Sequence, residues 1–335
     1  MATIGNSYLN LIDLYKRNDP KSGALTPVIE ALHTLNPLMQ DAISIECNQG
    51  TKHLSTIRTG LPGVTWGKLY QGIAQSKSTT MQVEDTTGFV EGRSQVDERL
   101  LEISKNPAAV RMSEAQPFLE SMAQEVQTNF FYSDIATTPE RFKGLGARYN
   151  SLATPNVING GGAGSDNTSI WFVTWGERQT ALLYPKGTKA GVDRKDRGSQ
   201  QVLDSDSNPY FAKVEEFRQH VGVTVGDWRY NARIANIDVS DLRAGSTDIY
   251  GLLRKAYWKL QGRRNQKVDN GGMISMGRTV IYMNRDVLEA LDAATTEDNK
   301  VLLKPIEVEG KEILTYRGLP IRETDAIINA ESVVS

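Results

Sequence analysis

The sequence has almost no cysteine. Cys47 is the single one among 335 residues, which excludes a disulfide framework within the chain and any zinc site built from several cysteines. Histidine is nearly as scarce, and His33, His53 and His220 are far apart. No H-E-x-x-H, C-x-x-C or EF-hand pattern occurs, so no metal-ligand motif is on offer. Neither sign of charge dominates. Lys plus Arg is 38 against 40 for Asp plus Glu, a net charge of −2, whereas a generic nucleic-acid binder carries a basic excess. No apolar run reaches the roughly 18 residues of a membrane span. Met1 to Asn10 has neither a basic start nor an apolar core, so no signal peptide is expected. The simplest compartment is a reducing cytoplasm, or a particle assembled in one.

Motifs for chemistry are missing too. There is no G-x-S-x-G elbow, and Cys47 is read as a small buried hydrophobe rather than a nucleophile. Asp204-Ser205-Asp206-Ser207-Asn208 alternates acids with polar residues but lacks the glycine and closing glutamate of a calcium loop, so it is read as a solvated loop. Gly160-Gly161-Gly162-Ala163-Gly164 has no Lys-Ser/Thr, and a strand follows it where a phosphate cradle needs a helix. Gly144-Leu145-Gly146 has no clear strand before it. Both are read as turns. Arg254-Lys255 and Arg263-Arg264 are read as a solvated helix face, given the neutral balance. No catalytic, cofactor or metal residue is assigned.

What is present is an intermixed α+β pattern. Residues 1 to 40 read as a helical arm, with Thr26-Pro27 starting a helix and Asn36-Pro37 ending it. Residues 46 to 96 are punctuated by glycines and poor in large apolar residues, with Trp66, Leu69, Tyr70 and Phe89 the main ones. They read as a long hairpin that must lie on something, since an isolated hairpin is marginal in water. The spacing of Phe118, Met122, Val126 and Phe130 predicts a helix over Ser113–Tyr132, with Ser113 and Gln116 as a capping box and Pro117 in an early turn. Thr138-Pro139 predicts a short helical turn. Ile170 to Trp175 is apolar on both faces, a strand buried on both sides. Lys186 to Asn208 reads as an exposed loop, and Val221, Val223 and Val225 as a strand that continues through Trp228 to Ile237. A helix capped by Ser246 or Thr247 runs to Leu260. Then follow a strand over Thr279–Met283, a helix over Arg285–Ala294, a hairpin turning at Gly310-Lys311, and a last strand from Gly318.

Four stretches together carry a family likeness. They are Leu61-Pro62-Gly63-Val64-Thr65-Trp66 leading to Val96-Asp97; Thr138-Pro139-Glu140-Arg141-Phe142-Lys143-Gly144-Leu145-Gly146-Ala147-Arg148-Tyr149 with Asp166 to Trp171; Gly222 to Tyr230 with Arg233 to Asp238; and Gly318-Leu319-Pro320-Ile321-Arg322-Glu323-Thr324-Asp325. The sequence resembles the major capsid proteins of tailed bacteriophages, most closely those of epsilon-fifteen-like short-tailed phages.

The resemblance implies the Hong Kong 97-type capsid fold. It places an N-terminal arm at residues 1–45, the extended E-loop hairpin at 46–95, a peripheral domain with the spine helix at 96–240, and an axial domain at 241–335. It implies a structural subunit that assembles into pentamers and hexamers of an icosahedral head around double-stranded DNA. Its expected partners are copies of itself, a portal protein, a scaffold and an external stapling or decoration protein, with DNA held loosely and no membrane. Tyr8, Tyr15, Arg58, Trp66, Lys68, Tyr70 and Phe89 are the expected inter-subunit contacts. Some family members crosslink an E-loop lysine. Lys52, Lys68 and Lys77 are available here, but nothing local marks them as reactive, so non-covalent interlocking is expected. The rival readings are an encapsulin-like shell around enzyme cargo and a mixed α+β enzyme.

Overall fold

The structure, a computed structural model, describes residues 37–204, 206–261, 268–269, 272–273, 277–297, 303–308 and 311–335. Residues 1–36 of the predicted helical arm, with Tyr8 and Tyr15, lie outside them. In chain order the first elements are α1 (Leu38–Asp41), β1 (Ser44–Glu46), β2 (Lys52–Gly60), β3 (Thr79–Asp97), α2 (Glu98–Ile103), α3 (Pro107–Tyr132), β4 (Val157–Asn159), β5 (Asn167–Trp175), β6 (Thr180–Tyr184), β7 (Val192–Leu203) and β8 (Pro209–Val225). After these come β9 (Ala232–Asp238), α4 (Val239–Arg243), α5 (Ile249–Lys259), β10 (Val268–Asp269), β11 (Gly272–Met273), β12 (Arg278–Met283), α6 (Arg285–Glu297), β13 (Leu303–Val308), β14 (Lys311–Tyr316) and β15 (Leu319–Glu323). The described residues fall into two compact units. One holds residues 89–127 and 189–220; the other holds the described residues between 37 and 88, 128–188 and 221–335.

The larger unit is built on a mixed sheet. β4 pairs parallel with β9, β9 antiparallel with β5, and β5 antiparallel with β12. β12 pairs parallel with β15, whose other neighbour β14 turns back onto β13. Every residue of β5 is buried, which agrees with a strand covered on both faces. On one side Ile170, Phe172, Ile234 and Ile281 meet Leu252, Leu253 and Ala256 of α5 and Val287 and Leu291 of α6. On the other lies an aromatic layer from the last turn of α3. Phe130 stacks on Trp175 at 5.4 Å, and Phe131 and Tyr149 each lie 6.0 Å from Trp171. Because β12 pairs with β5, residues 278–283 share a sheet with residues 167–175. Compactness therefore does not divide the chain at residue 240.

In the smaller unit, Phe118 of α3 stacks on Phe217 of β8 at 5.8 Å, with Ala115, Met122 and Val90 around the pair. A second cluster joins Val96, Leu100, Leu101 and Val110. Residues 192–203, expected as loop, form a strand that pairs along β8 from Val192↔Gln219 to Leu203↔Pro209. The strand has no apolar face, so periodicity could not announce it. The backbone ladder and cross-strand ion pairs hold it: Arg194 to Glu215 at 2.7 Å and Arg197 to Glu216 at 2.7 Å.

Helix ends differ from expectation where local capping won. α3 begins at Pro107, not Ser113, because the Asn106 side chain accepts from the Ala109 amide at 3.2 Å and proline suits the first helical position. Pro117 is thus interior to the helix. α5 is capped by Asp248, which accepts from the Gly251 amide at 2.8 Å. Pro37 opens a single helical turn, α1, and the helix expected before it lies outside the described residues. Residues 138–142 make a turn without helix, and the strand expected to run from Val221 to Ile237 is broken between Val225 and Ala232 by a 3-10 turn at Trp228–Tyr230, capped by Asp227. Among the described residues no helix is long and apolar enough to cross a membrane.

Candidate functional site

The strongest departure from a self-sufficient surface is the hairpin of the larger unit. β2 pairs with the first part of β3 in register from Lys52↔Thr86 to Gly60↔Thr79, with an irregularity after Arg58. Residues 61–78 link the strands without regular structure. The Ser76 hydroxyl donates to the Gly63 carbonyl at 2.7 Å and the Gln71 amide to the Lys68 carbonyl at 3.2 Å. Trp66 is 99% exposed, and Leu61, Val64, Leu69, Tyr70 and Ile73 are all more than four-fifths exposed. Burial of such side chains is worth about 1.5–3 kcal/mol each, and here none of it is collected within the chain. Between Glu46 and Glu84 there is no acidic residue, while Lys52, Arg58, Lys68 and Lys77 are basic. The tip is therefore both apolar and cationic.

The root, in contrast, is fixed. Asp85 accepts from the Arg148 guanidinium at 2.6 Å, with the two side chains 2% and 12% exposed, and Arg148 also donates to the Val223 carbonyl at 3.0 Å. The Thr87 amide donates to the Thr51 carbonyl at 3.0 Å. Asn48 brackets Leu54 with two 2.8 Å bonds. A side chain at Gly88 would lie 2.7 Å from the Glu140 carbonyl oxygen, so glycine lets the strand sit against that turn. Cys47 is buried beside this root, and desolvation, with Glu46 and Asp85 nearby, pushes its thiol pKa up. That environment suits a small packed hydrophobe and disfavours a thiolate.

Of the expected contact residues, Trp66, Lys68 and Tyr70 come together on the tip and Arg58 stands at its base, all exposed. Phe89 belongs to the smaller unit. It is 59% exposed, its ring lies 5.6 Å from His220, and Arg218 sits over it at 5.9 Å. Leu61, Val64 and Ile73 were missed. Their signal was available, because large apolar residues stand there without any period that would bury them.

The motifs weighed for chemistry have structural employment. The amides of Gly144, Leu145 and Gly146 donate to the carbonyls of Ser133, Phe130 and Phe131, at 2.9, 2.8 and 2.7 Å. This loop thus satisfies the open carbonyls at the end of α3. In the glycine-rich loop, Gly160 and Gly162 donate to Ala235 and Asn236, so those amides are not free to hold phosphate. The cleft of about 330 Å³ beside it has three aspartates, Asp238, Asp241 and Asp248, and one lysine, Lys255, in its lining, so its floor at the glycine-rich loop is no phosphate cradle. In the smaller unit, a cleft of about 310 Å³ contains Glu91, Asp193 and Glu216. Each is paired, with Arg218, Lys195 and Arg197 respectively. Asp204 closes its own turn by accepting from the Asp206 and Asn208 amides. Among the described residues no group of three or more His, Cys, Asp or Glu is placed to hold a metal.

A family profile described as major capsid protein GP7 matches residues 20–335. The chain belongs to that capsid protein family. Its structure is similar to a chain of the near-atomic bacteriophage epsilon15 structure, with 33% identity, full coverage of both chains and a TM-score of 0.75. More distant likenesses include the bacteriophage JBD30 capsid, at 9% identity over 89% of this chain and 93% of that one, TM-score 0.45. Another is the SrpI encapsulin of Synechococcus elongatus PCC 7942, at 10% identity over 68% and 96%, TM-score 0.45. No curated protein matches the chain in sequence. The GP7 relationship makes this a phage major capsid protein with the Hong Kong 97-type fold, a structural subunit of the virion shell built from repeated copies.

Proposed function

We propose that this capsid subunit closes an icosahedral head by forming rings of five and six, and that the head encloses double-stranded DNA. Residues 46–95 serve as the E-loop, α3 as the spine helix, and residues 1–45 as an interlocking arm. One observation carries the reading: a rigidly rooted hairpin whose tip holds Trp66 and five further large apolar side chains in water. Heterologous contacts of such a projection with the next copy generate rings when the rotation closes. The contacts are non-covalent, through Arg58, Trp66, Lys68 and Tyr70 on the hairpin, with Phe89, Tyr8 and Tyr15 at further interfaces. The subunit performs no catalysis and needs no cofactor. A portal, a scaffold and an external decoration protein complete the head, which assembles in the host cytoplasm. The near-neutral net charge suits a container that holds DNA without gripping it, since every cationic phosphate contact adds counterion-release affinity.

The test is negative-stain microscopy of the purified subunit, with and without scaffold. Rings or shells are expected. A monodisperse monomer at high concentration under both conditions would overturn the reading. Nuclease-protected DNA inside particles from infected cells separates a genome container from a shell around protein cargo.

A further inference from the structure

We propose that one flank of α5, formed by Arg254 and Trp258 with Arg317 laid beside it and Lys255 at its rim, is a contact for the nucleic-acid backbone. The inference rests on the reading of the shell as a DNA container and names where the polymer touches it. Residues 249–268 carry six basic residues and no acid, in a chain whose net charge is −2. Lys259 is engaged by the Pro155 carbonyl. Arg254 and Lys255 stand four and three residues before Trp258, so the three share one helix flank. Arg254 and Lys255 are exposed and Trp258 is 48% exposed, while Leu252, Leu253 and Ala256 on the opposite side are buried in the core.

Arg317 strengthens the patch from a second element. It occupies the turn between β14 and β15 with Gly318, at φ 50° and 81°. Asparagine or glycine suits a left-handed turn position best. Arginine there places a guanidinium 5.2 Å from the Tyr257 ring, 5.7 Å from Tyr316 and 5.9 Å from Trp258. Among the described residues Arg254 and Arg317 have no carboxylate partner, and Lys255, which shares a cleft with Asp238, Asp241 and Asp248, forms no ion pair with them. Three exposed cations of the smaller unit differ: Arg197, Arg218 and Lys195 are each paired with a carboxylate.

The charge fits a polyanion, and the half-exposed indole adds a flat surface for sugar and base that an acidic peptide would leave unused. A patch of three cations is small. It touches the polymer without converting the shell into a general DNA binder.

Two measurements test it. DNA-filled particles are irradiated with ultraviolet light and digested with trypsin. A nucleotide adduct is expected on the peptide Ala256–Lys259. In parallel, the purified subunit is titrated with a fluorescein-labelled duplex at several salt concentrations. The triple variant R254A/K255A/R317A is expected to bind more weakly and to lose about 2 to 3 from the slope of log K against log salt. R254E alone, on an exposed helix flank, keeps the test interpretable if the triple variant fails to fold. An unchanged slope, or a crosslink from this peptide to protein rather than nucleotide, would overturn the proposal. Shells that form normally but carry no adduct sink the patch and spare the container. Absence of any shell sinks the container, while the duplex titration still tests the patch.

Discussion

Arg233 donates to the Glu331 carboxylate at 2.8 Å, and the two side chains are only 6% and 4% exposed. The pair ties the C-terminal segment to the middle of the sheet, ninety-eight residues away in sequence. Around it, Arg233 also donates to Ser169 at 3.1 Å and to the Tyr149 carbonyl at 2.9 Å, and its guanidinium lies 4.8 Å over the Trp171 ring. Tyr132 donates to the other Glu331 oxygen at 2.5 Å. Burial, reinforced by the adjacent Glu331 carboxylate, raises the Tyr132 pKa and keeps that phenol protonated as a donor.

Removing one partner leaves the other charge buried and uncompensated. Glu331→Ala is expected to cost about 3–5 kcal/mol in urea unfolding, whereas the double change Arg233→Met with Glu331→Leu costs clearly less. Equal losses would show that packing of the C-terminal segment, not charge, is what matters.

Gly144 is predicted to be intolerant of alanine. A Cβ there would lie 2.6 Å from the Asn129 carbonyl oxygen and 3.0 Å from both the Phe130 carbonyl oxygen and the Ser133 amide nitrogen. These atoms belong to the helix end that the loop caps, so they cannot swing aside. Gly144→Ala should destabilise by about 1–3 kcal/mol. Gly63→Ala on the open hairpin tip, where nothing lies within 4 Å, is the matched control and should be near neutral by thermal unfolding.

That glycine also illustrates what sequence could convey. The motif around Gly144-Leu145-Gly146 was visible as a family signature, yet its task as a cap on α3 depends on a contact that no local pattern encodes. β5 was legible over Ile170–Trp175 because Ile170, Trp171, Phe172, Val173 and Trp175 put apolar side chains on both faces, and α5 because its buried face recurs at helical spacing. The strand at residues 192–203 was not legible: its side chains are polar on both faces, and its partner lies beyond a turn. The hairpin tip was readable in outline from Trp66, Lys68 and Tyr70. Phe89, an expected contact as well, lies in the other compact unit, a placement that needs the three-dimensional packing and that no local pattern announces.

Acid should destabilise the subunit in a defined direction. A hydrogen bond from Arg243 holds the Asp286 carboxyl below its ordinary value, and one from Arg99 does the same for Asp97. Folded pKa values lie below unfolded ones for both. Their contribution is therefore complete above the unfolded value of about 3.9 and is lost as pH falls through the folded values. The unfolding midpoint should stay flat from neutral pH to about pH 5 and fall below about pH 4. Asp286→Asn should reduce that fall. Because both pairs are partly solvated, the effect of one substitution is small, and a midpoint unchanged down to pH 2 would contradict the assignment.

Trp66→Ala separates folding from assembly. The indole is 99% exposed, so its loss removes no intramolecular packing, and subunit stability should change by less than about 0.5 kcal/mol. If Trp66 docks on a neighbouring copy as an aromatic anchor, each lost contact costs about 2 kcal/mol or more, which raises the subunit concentration needed for assembly about 30-fold. Light scattering across a subunit dilution series reads the threshold, and circular dichroism confirms the fold. A lowered yield of soluble subunit in proportion to the loss of shells would assign Trp66 to folding. An unchanged threshold would remove it from the interface and leave Leu61, Val64, Leu69, Tyr70 and Ile73 as the apolar side chains that have to account for the contact.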